Sequence, residues 1–146
     1  MHLFWRFLIA LLLCFTLASV AHTQFVLAKL AGTGVVIPWS ERVSMSLQDW
    51  WGLLPTYGAI IAVGLLLAFA VTGFLLKHYR SLSGWLYPLA GLVAILTIHL
   101  AMQPIMDITL IAGARTHLGL ASQAMAGFVA GWVFYGLRHK PRMHFS

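Results

Sequence analysis

Four stretches of this chain run for about twenty residues with almost no charge, the length that an α-helix needs to cross about 30 Å of hydrocarbon. They cover about residues 3–23, 56–76, 85–103 and 118–137. No water inside a bilayer can satisfy a free peptide N–H or C=O, so each stretch is expected to be helical. None alternates apolar and polar residues as a barrel strand would. Only 8% of the 146 residues are charged and 61% are hydrophobic. Soluble domains carry about 25% charge, so these charges are too few to coat a soluble globule. The expected fold is an all-α integral membrane domain over residues 1–146, with four transmembrane helices in two hairpins.

The first stretch also fits a signal peptide: "MHLFWR" precedes "FLIALLLCFTLASVA", and Ser19-Val20-Ala21 is a small-x-small site. Apolar sequence continues through "QFVLAKLAG", so a retained helix running past His22 is expected. Leu11-Leu12-Leu13-Cys14 departs from a lipobox, because leucine stands where a small residue is required before the cysteine. A single thiol allows no intramolecular disulfide, and Cys14 is read as a buried structural residue.

Basic residues set the orientation. Arg6, Lys77, Arg80, Arg138, Lys140 and Arg142 fall on one side of the four spans, and Lys29, Arg42 and Arg115 on the other, with all three acids, Glu41, Asp49 and Asp107. This predicts cytoplasmic termini (N-in, C-in) in the cell inner membrane. The net charge of +6 gathers at span ends, where head groups attract it, and is not a nucleic-acid surface. Trp5, Trp39, Trp50, Trp51 and Trp85 lie near span ends, as interfacial tryptophans do.

The connections differ in kind. "KHYRSLSG" is short and polar and closes a hairpin. The links at about 24–55 and 104–116 are apolar, and such segments lie in the interface or pack on each other; they are expected to cap the outer, periplasmic face. Within the first link, Ser46-x-x-Asp49 reads as a capping-box-like start of a short interfacial helix, which Pro55 turns into span two. Pro104 is expected to end span three. "VVIPWSERVSMSLQ" and "TLIAGARTHLGLAS" form a weak internal echo, as two equivalent hairpins would.

Gly127-x-x-x-Gly131 beside Ser122, Ala126 and Ala130 gives the clearest packing face, because small residues at this spacing let helix backbones approach closely in lipid. Gly64, Ala68 and Thr72 repeat the spacing in span two, and the two faces are expected to meet.

A polar cluster is expected at the outer face: His22, His99, Met102, Asp107, Arg115 and His117. His99 and Met102 share a helical face. These groups suit a metal site on His99, His117 and His22, a softer site with methionine, a haem or quinone pocket with His99 as ligand or donor, a proton-linked role, or interfacial polar residues each with its own local partner. No HxxxH or HExxH spacing supports a metal, and no cofactor is assigned. Asp107 and Arg115 fit an ion pair clasping the outer links, and Arg115 beside a helix start capped by Thr116 would also suit an anion. No GxSxG, Walker A or GxGxxG sequence occurs, and three acids leave little for acid–base chemistry. The expected role is a non-catalytic subunit or accessory component of a larger membrane complex. The alternatives are a small oligomeric transporter or channel, and a redox protein using the outer histidines. Expected partners are the bilayer and other membrane subunits, or further copies of the chain. Retention of the first span predicts that N-terminal sequencing of the mature protein reads residues before His22; a terminus at His22 would remove that span.

Overall fold

The computed structural model describes residues 2–106 and 116–139, residues 103–106 by their backbone alone. Every element among them is helical: α1 (Leu3–Ala31), α2 (Trp39–Leu53), a π-helical turn (Leu54–Gly58), α3 (Ala59–His78), α4 (Leu86–Met106) and α5 (His117–Arg138). Helix α1, the continuous α2–α3 unit and α5 are long and apolar enough to cross a membrane, and α4 is apolar over Leu86–Met102. The chain thus has three to four apolar helices of membrane-spanning length.

Two boundaries depart from the sequence reading. Helix α1 continues past His22, as expected, and reaches Ala31. Its 29 residues measure about 43 Å at 1.5 Å each. The expected link at 24–55 is therefore mostly helix. Helix α2 begins at Trp39, with Pro38 in the cap position, rather than at Ser46. Ser46 and Asp49 sit inside the helix, where the Ser46 hydroxyl donates to the Arg42 carbonyl at 2.8 Å instead of capping a helix start.

Tertiary packing explains this. The Arg42 guanidinium and the Ser46 side chain reach Gln24 at 3.4 Å each. Thr23 donates to Asp49 at 2.7 Å, and the Trp50 indole N–H donates to Thr16 at 3.2 Å. Positions 42, 46, 49 and 50 recur at helical spacing on one face. Their partners step backwards along α1, so α2 runs antiparallel beside it. The first link is thus a helix folded back on α1, not a cap lying across the bundle end. Residues 107–115 of the second apolar link lie outside the described residues.

Pro55, expected to turn α2 into the next span, and Pro104, expected to end a helix, are both accommodated within helix. Proline has no N–H to bond the carbonyl four residues back, and its ring crowds that carbonyl. At Pro55 the backbone widens into the π turn, which joins α2 to α3 without a break. At Pro104 the helix continues to Met106, so only the bond to the Leu100 carbonyl is lost.

Helix α5 lies between α1 and α4, and α4 also packs on α3. The core runs along the contact on stripes spaced by three or four residues: Tyr57, Ile61, Leu65 and Phe69 on the α3 side, and Tyr87, Gly91, Ile95, His99 and Met102 on α4. Phe69 and Phe134 stack at 4.6 Å between centroids, and Tyr87 meets Phe134 edge-on at 5.1 Å.

The two small-residue faces do not meet. A Cβ at Gly64 would lie 2.6 Å from Cδ1 of Ile98 on α4. On α5, a Cβ at Gly127 would strike the Gly91 carbonyl, and one at Gly131 the Tyr87 carbonyl. Both faces turn to α4 instead, and the α4–α5 backbones approach with no side chain between them. Ala126 and Ala130 are buried beside these glycines. A valine at Gly127 must therefore push backbone from backbone. Gly127→Val is expected to lower stability by about 1–3 kcal/mol or more. Gly136→Ala, where an added Cβ meets nothing within 4 Å, should stay within about 0.5 kcal/mol. Thermal unfolding in mild detergent checks both.

Candidate functional site

The polar groups inside the bundle come together at the end where α2 lies along α1. Four elements supply them. The π turn carries Tyr57, α4 carries His99, α5 carries Gln123, and α1 offers the Ala18 carbonyl. Each occupies a core position: Tyr57 and Gln123 are 0% exposed and His99 3%. The Gln123 amide donates to the Ala18 carbonyl at 2.9 Å. Its oxygen accepts from the Tyr57 hydroxyl at 3.1 Å. The same hydroxyl lies 3.2 Å from Nε2 of His99. Nδ1 of His99 lies 2.8 Å from the Ile95 carbonyl one turn back on α4. The Tyr57 and His99 rings meet edge-to-face, with centroids 5.8 Å apart.

A second group adjoins this one along α1. The Thr23 hydroxyl is within reach of the Ser19 carbonyl at 3.1 Å and of Asp49 at 2.7 Å. Ser19 is fully buried and its hydroxyl has no partner. Asp49 is half-buried. The polar line therefore extends from Asp49 on α2, past Thr23 and Ser19, to Ala18, Gln123, Tyr57 and His99. Asp49 also faces His22, which lies one residue before Thr23.

The candidate residues from the sequence divide. His99 and Met102 share a buried face of α4. His22 is half-buried on α1, and His117 is exposed as the first residue of α5. Among the described residues no three His, Cys, Asp or Glu side chains gather as a metal set, so the structure does not bring His22, His99 and His117 to one ion. Haem or metal ligation by His99 would require it to give up a bond to Tyr57 or to the Ile95 carbonyl. Asp107 and Arg115, and so the expected clasp between them, lie outside the described residues. Thr116 caps α5, accepting from the Gly119 N–H at 3.0 Å. Cys14 is a buried free thiol.

Tyr57, Thr23 and Gln123 are not among the polar-cluster candidates of the sequence, and Ser19 enters there only in the small-x-small pattern. A signal existed. Tyr57 lies four residues before Ile61 on the Ile61–Leu65–Phe69 stripe, and His99 four after Ile95 on the Gly91–Ile95 stripe.

The opposite end of the bundle is different. A chamber of about 410 Å³ opens among Phe7, Phe69, Tyr87, Phe134 and Arg138. The Arg138 guanidinium donates to the Tyr87 hydroxyl and lies over the Tyr87 ring.

No family model, curated protein or solved structure matches the chain.

The bond from Thr23 to Asp49 ties α2 to the bundle and can be tested alone. Thr23→Val keeps the side-chain shape and removes the hydroxyl. Half-exposed Asp49 regains water, so the loss is expected to be about 0.5–1.5 kcal/mol. Hydrogen exchange should rise across residues 39–53 and stay unchanged in α5.

Proposed function

We propose that this chain is a non-catalytic subunit of a larger membrane assembly, held with both termini on the cytoplasmic side of the inner membrane. One observation carries the reading. Between α3 and α4 a groove of about 540 Å³ opens on the outside of the bundle, lined by Gly64, Ala68, Ala90, Ala94, Thr97 and Ala101 among others. Its hydroxyls are already used: Thr72 donates to the Ala68 carbonyl and Thr97 to the Val93 carbonyl, each at 2.8 Å. The groove is therefore apolar, with Leu67, Val71 and Val93 beside the small residues. In lipid, small residues at helical spacing favour close approach of another helix, because dispersion and excluded lipid replace the hydrophobic effect as the driving force.

Helix α2 adds a second exposed surface. Trp39 is 81% exposed and Trp51 68%, while the opposite face of the helix is committed to α1. An amphipathic helix with exposed tryptophans suits the membrane interface or a neighbouring subunit.

A subunit should leave the membrane with its partner. Purification of the tagged chain in mild detergent, followed by native mass spectrometry, is expected to give a stable hetero-complex. Val71→Trp with Val93→Trp crowds the groove from its two exposed walls and should reduce the partner recovered at least tenfold, with unfolding temperature unchanged. A homo-oligomer without a second protein would favour the transporter reading and overturn this one.

A further inference from the structure

Counting hydrogens in the His99 cluster shows a mismatch. The Gln123 amide is oriented by the Ala18 carbonyl: its N–H₂ must face that oxygen, so its own oxygen faces Tyr57. The Tyr57 hydroxyl has one hydrogen and meets two groups, Gln123 Oε1 and His99 Nε2. Nδ1 of His99 meets only an acceptor, the Ile95 carbonyl. A neutral imidazole has one N–H, and the other nitrogen accepts. If Nδ1 holds the hydrogen, Nε2 and Gln123 Oε1 compete for the single tyrosine hydrogen. If Nε2 holds it, the bare Nδ1 lone pair faces the Ile95 oxygen at 2.8 Å. Each neutral tautomer leaves one pair of acceptors in contact.

The imidazolium removes the conflict. Nδ1–H then donates to Ile95 and Nε2–H to the Tyr57 oxygen. Tyr57 donates to Gln123, and Gln123 to Ala18, so every donor meets one acceptor. We propose that His99 is a reversible proton-binding site, at which one proton from water completes a hydrogen-bonded chain linking α4, the π turn, α5 and α1. One N–H bond forms, no other bond changes, and the cluster gains one positive charge.

The surroundings fit a proton rather than a larger ion. The titratable groups of α1 are Arg6 near its start, Cys14, His22 and Lys29. Cys14 lies beside Tyr57, and His22 faces Asp49. Helix α2 brings Asp49, bonded through Thr23 to the same stretch of α1, together with Glu41 and Arg42 toward its start. The π turn brings Tyr57 itself. Helix α3 has Lys77 and His78 at its far end, α4 has Tyr87 at its own far end, and α5 has His117 as its first residue and Tyr135 and Arg138 at its last turn. No arginine or lysine among these stands in the cluster, so no fixed cation opposes the proton there.

The test is nitrogen NMR of the full-length protein in lipid nanodiscs, labelled with ¹⁵N-histidine and with His99 assigned by backbone connectivity. Both ring nitrogens are followed from about pH 4.5 to 9, where an imidazole can change charge. The expected result is reversible passage of His99 between a neutral form and an imidazolium. Tyr57→Phe removes the acceptor for Nε2–H. Gln123→Leu lets the tyrosine hydrogen go to a neutral Nε2. Each variant is therefore expected to move the midpoint to lower pH by about one unit or more, a tenfold change. A single charge state in the wild-type protein across the range overturns the proposal, whether or not the variants fold. A midpoint unmoved in both folded variants overturns it as well.

Discussion

The architecture depends on the approach of α4 and α5 backbone to backbone. Gly91 faces Gly127, and Tyr87 faces Gly131, with no room for a Cβ between them. These two pairs fix an antiparallel register in which one helix advances four residues as the other retreats four. Continued along the helices, that register sets Ile95 opposite Gln123 and His99 opposite Gly119, both α5 residues being buried. The amide of Gln123 thus arrives beside the turn of α4 that carries His99. A one-residue slip would rotate Gln123 by about 100° and carry it off the core stripe. The glycines do more than admit close packing: they determine which polar groups meet about 12 Å farther along the bundle, eight residues from Gly91 to His99.

The π turn supplies the other half of the cluster. A proline at 55 in an uninterrupted α-helix would collide with the carbonyl four residues earlier. Widening the turn relieves that crowding and inserts part of a residue into the helical phase. After it, Tyr57 and Gly58 point inward while Thr56 stays outside. Gly58 lies 3.6 Å, measured from the place of a Cβ, from the Phe15 ring on α1, and Trp50 packs edge-on against that ring at 5.5 Å. A local answer to a proline thereby aims the hydroxyl that His99 and Gln123 share.

How much of this is legible in the sequence depends on the kind of information each feature needs. The apolar helices follow from local composition, since apolar runs of this length admit only one backbone in lipid, and their approximate positions are read directly. Thr116 as the cap of α5 is local too. The reach of α2 back to Trp39 is not, because the Arg42, Ser46 and Asp49 side chains find their partners on α1, some twenty residues earlier. The meeting of small faces is visible as spacing but not as pairing: Gly64 and Gly127 each carry the pattern, yet both turn to α4. His99 was recognisable as unusual, but grouping it with His22 and His117 relied on shared height in the membrane, which says nothing about direction around a helix. The i, i+4 stripes through Ile95 and Ile61 hold the azimuthal information, and they pair His99 with Tyr57 instead.

A buried polar chain in an apolar bundle costs stability unless each member is satisfied, and the penalty falls on the unsatisfied atom rather than being shared. Most groups here follow that rule by local means. Thr72 and Thr97 return their hydrogens to their own helix, and Gln123 uses both ends of its amide. His99 differs because its two nitrogens and the tyrosine beside it present one more acceptor than the neutral cluster has hydrogens to give. Rotating Gln123 would relieve Tyr57 but set two oxygens together at Ala18. Turning the imidazole by about 180° would set Cε1 against Tyr57 and Cδ2 against the Ile95 carbonyl, and both ring nitrogens would lose these partners. The shortfall thus belongs to the orientations that Tyr57, His99, Gln123 and Ala18 adopt here, and a proton on His99 supplies the missing hydrogen.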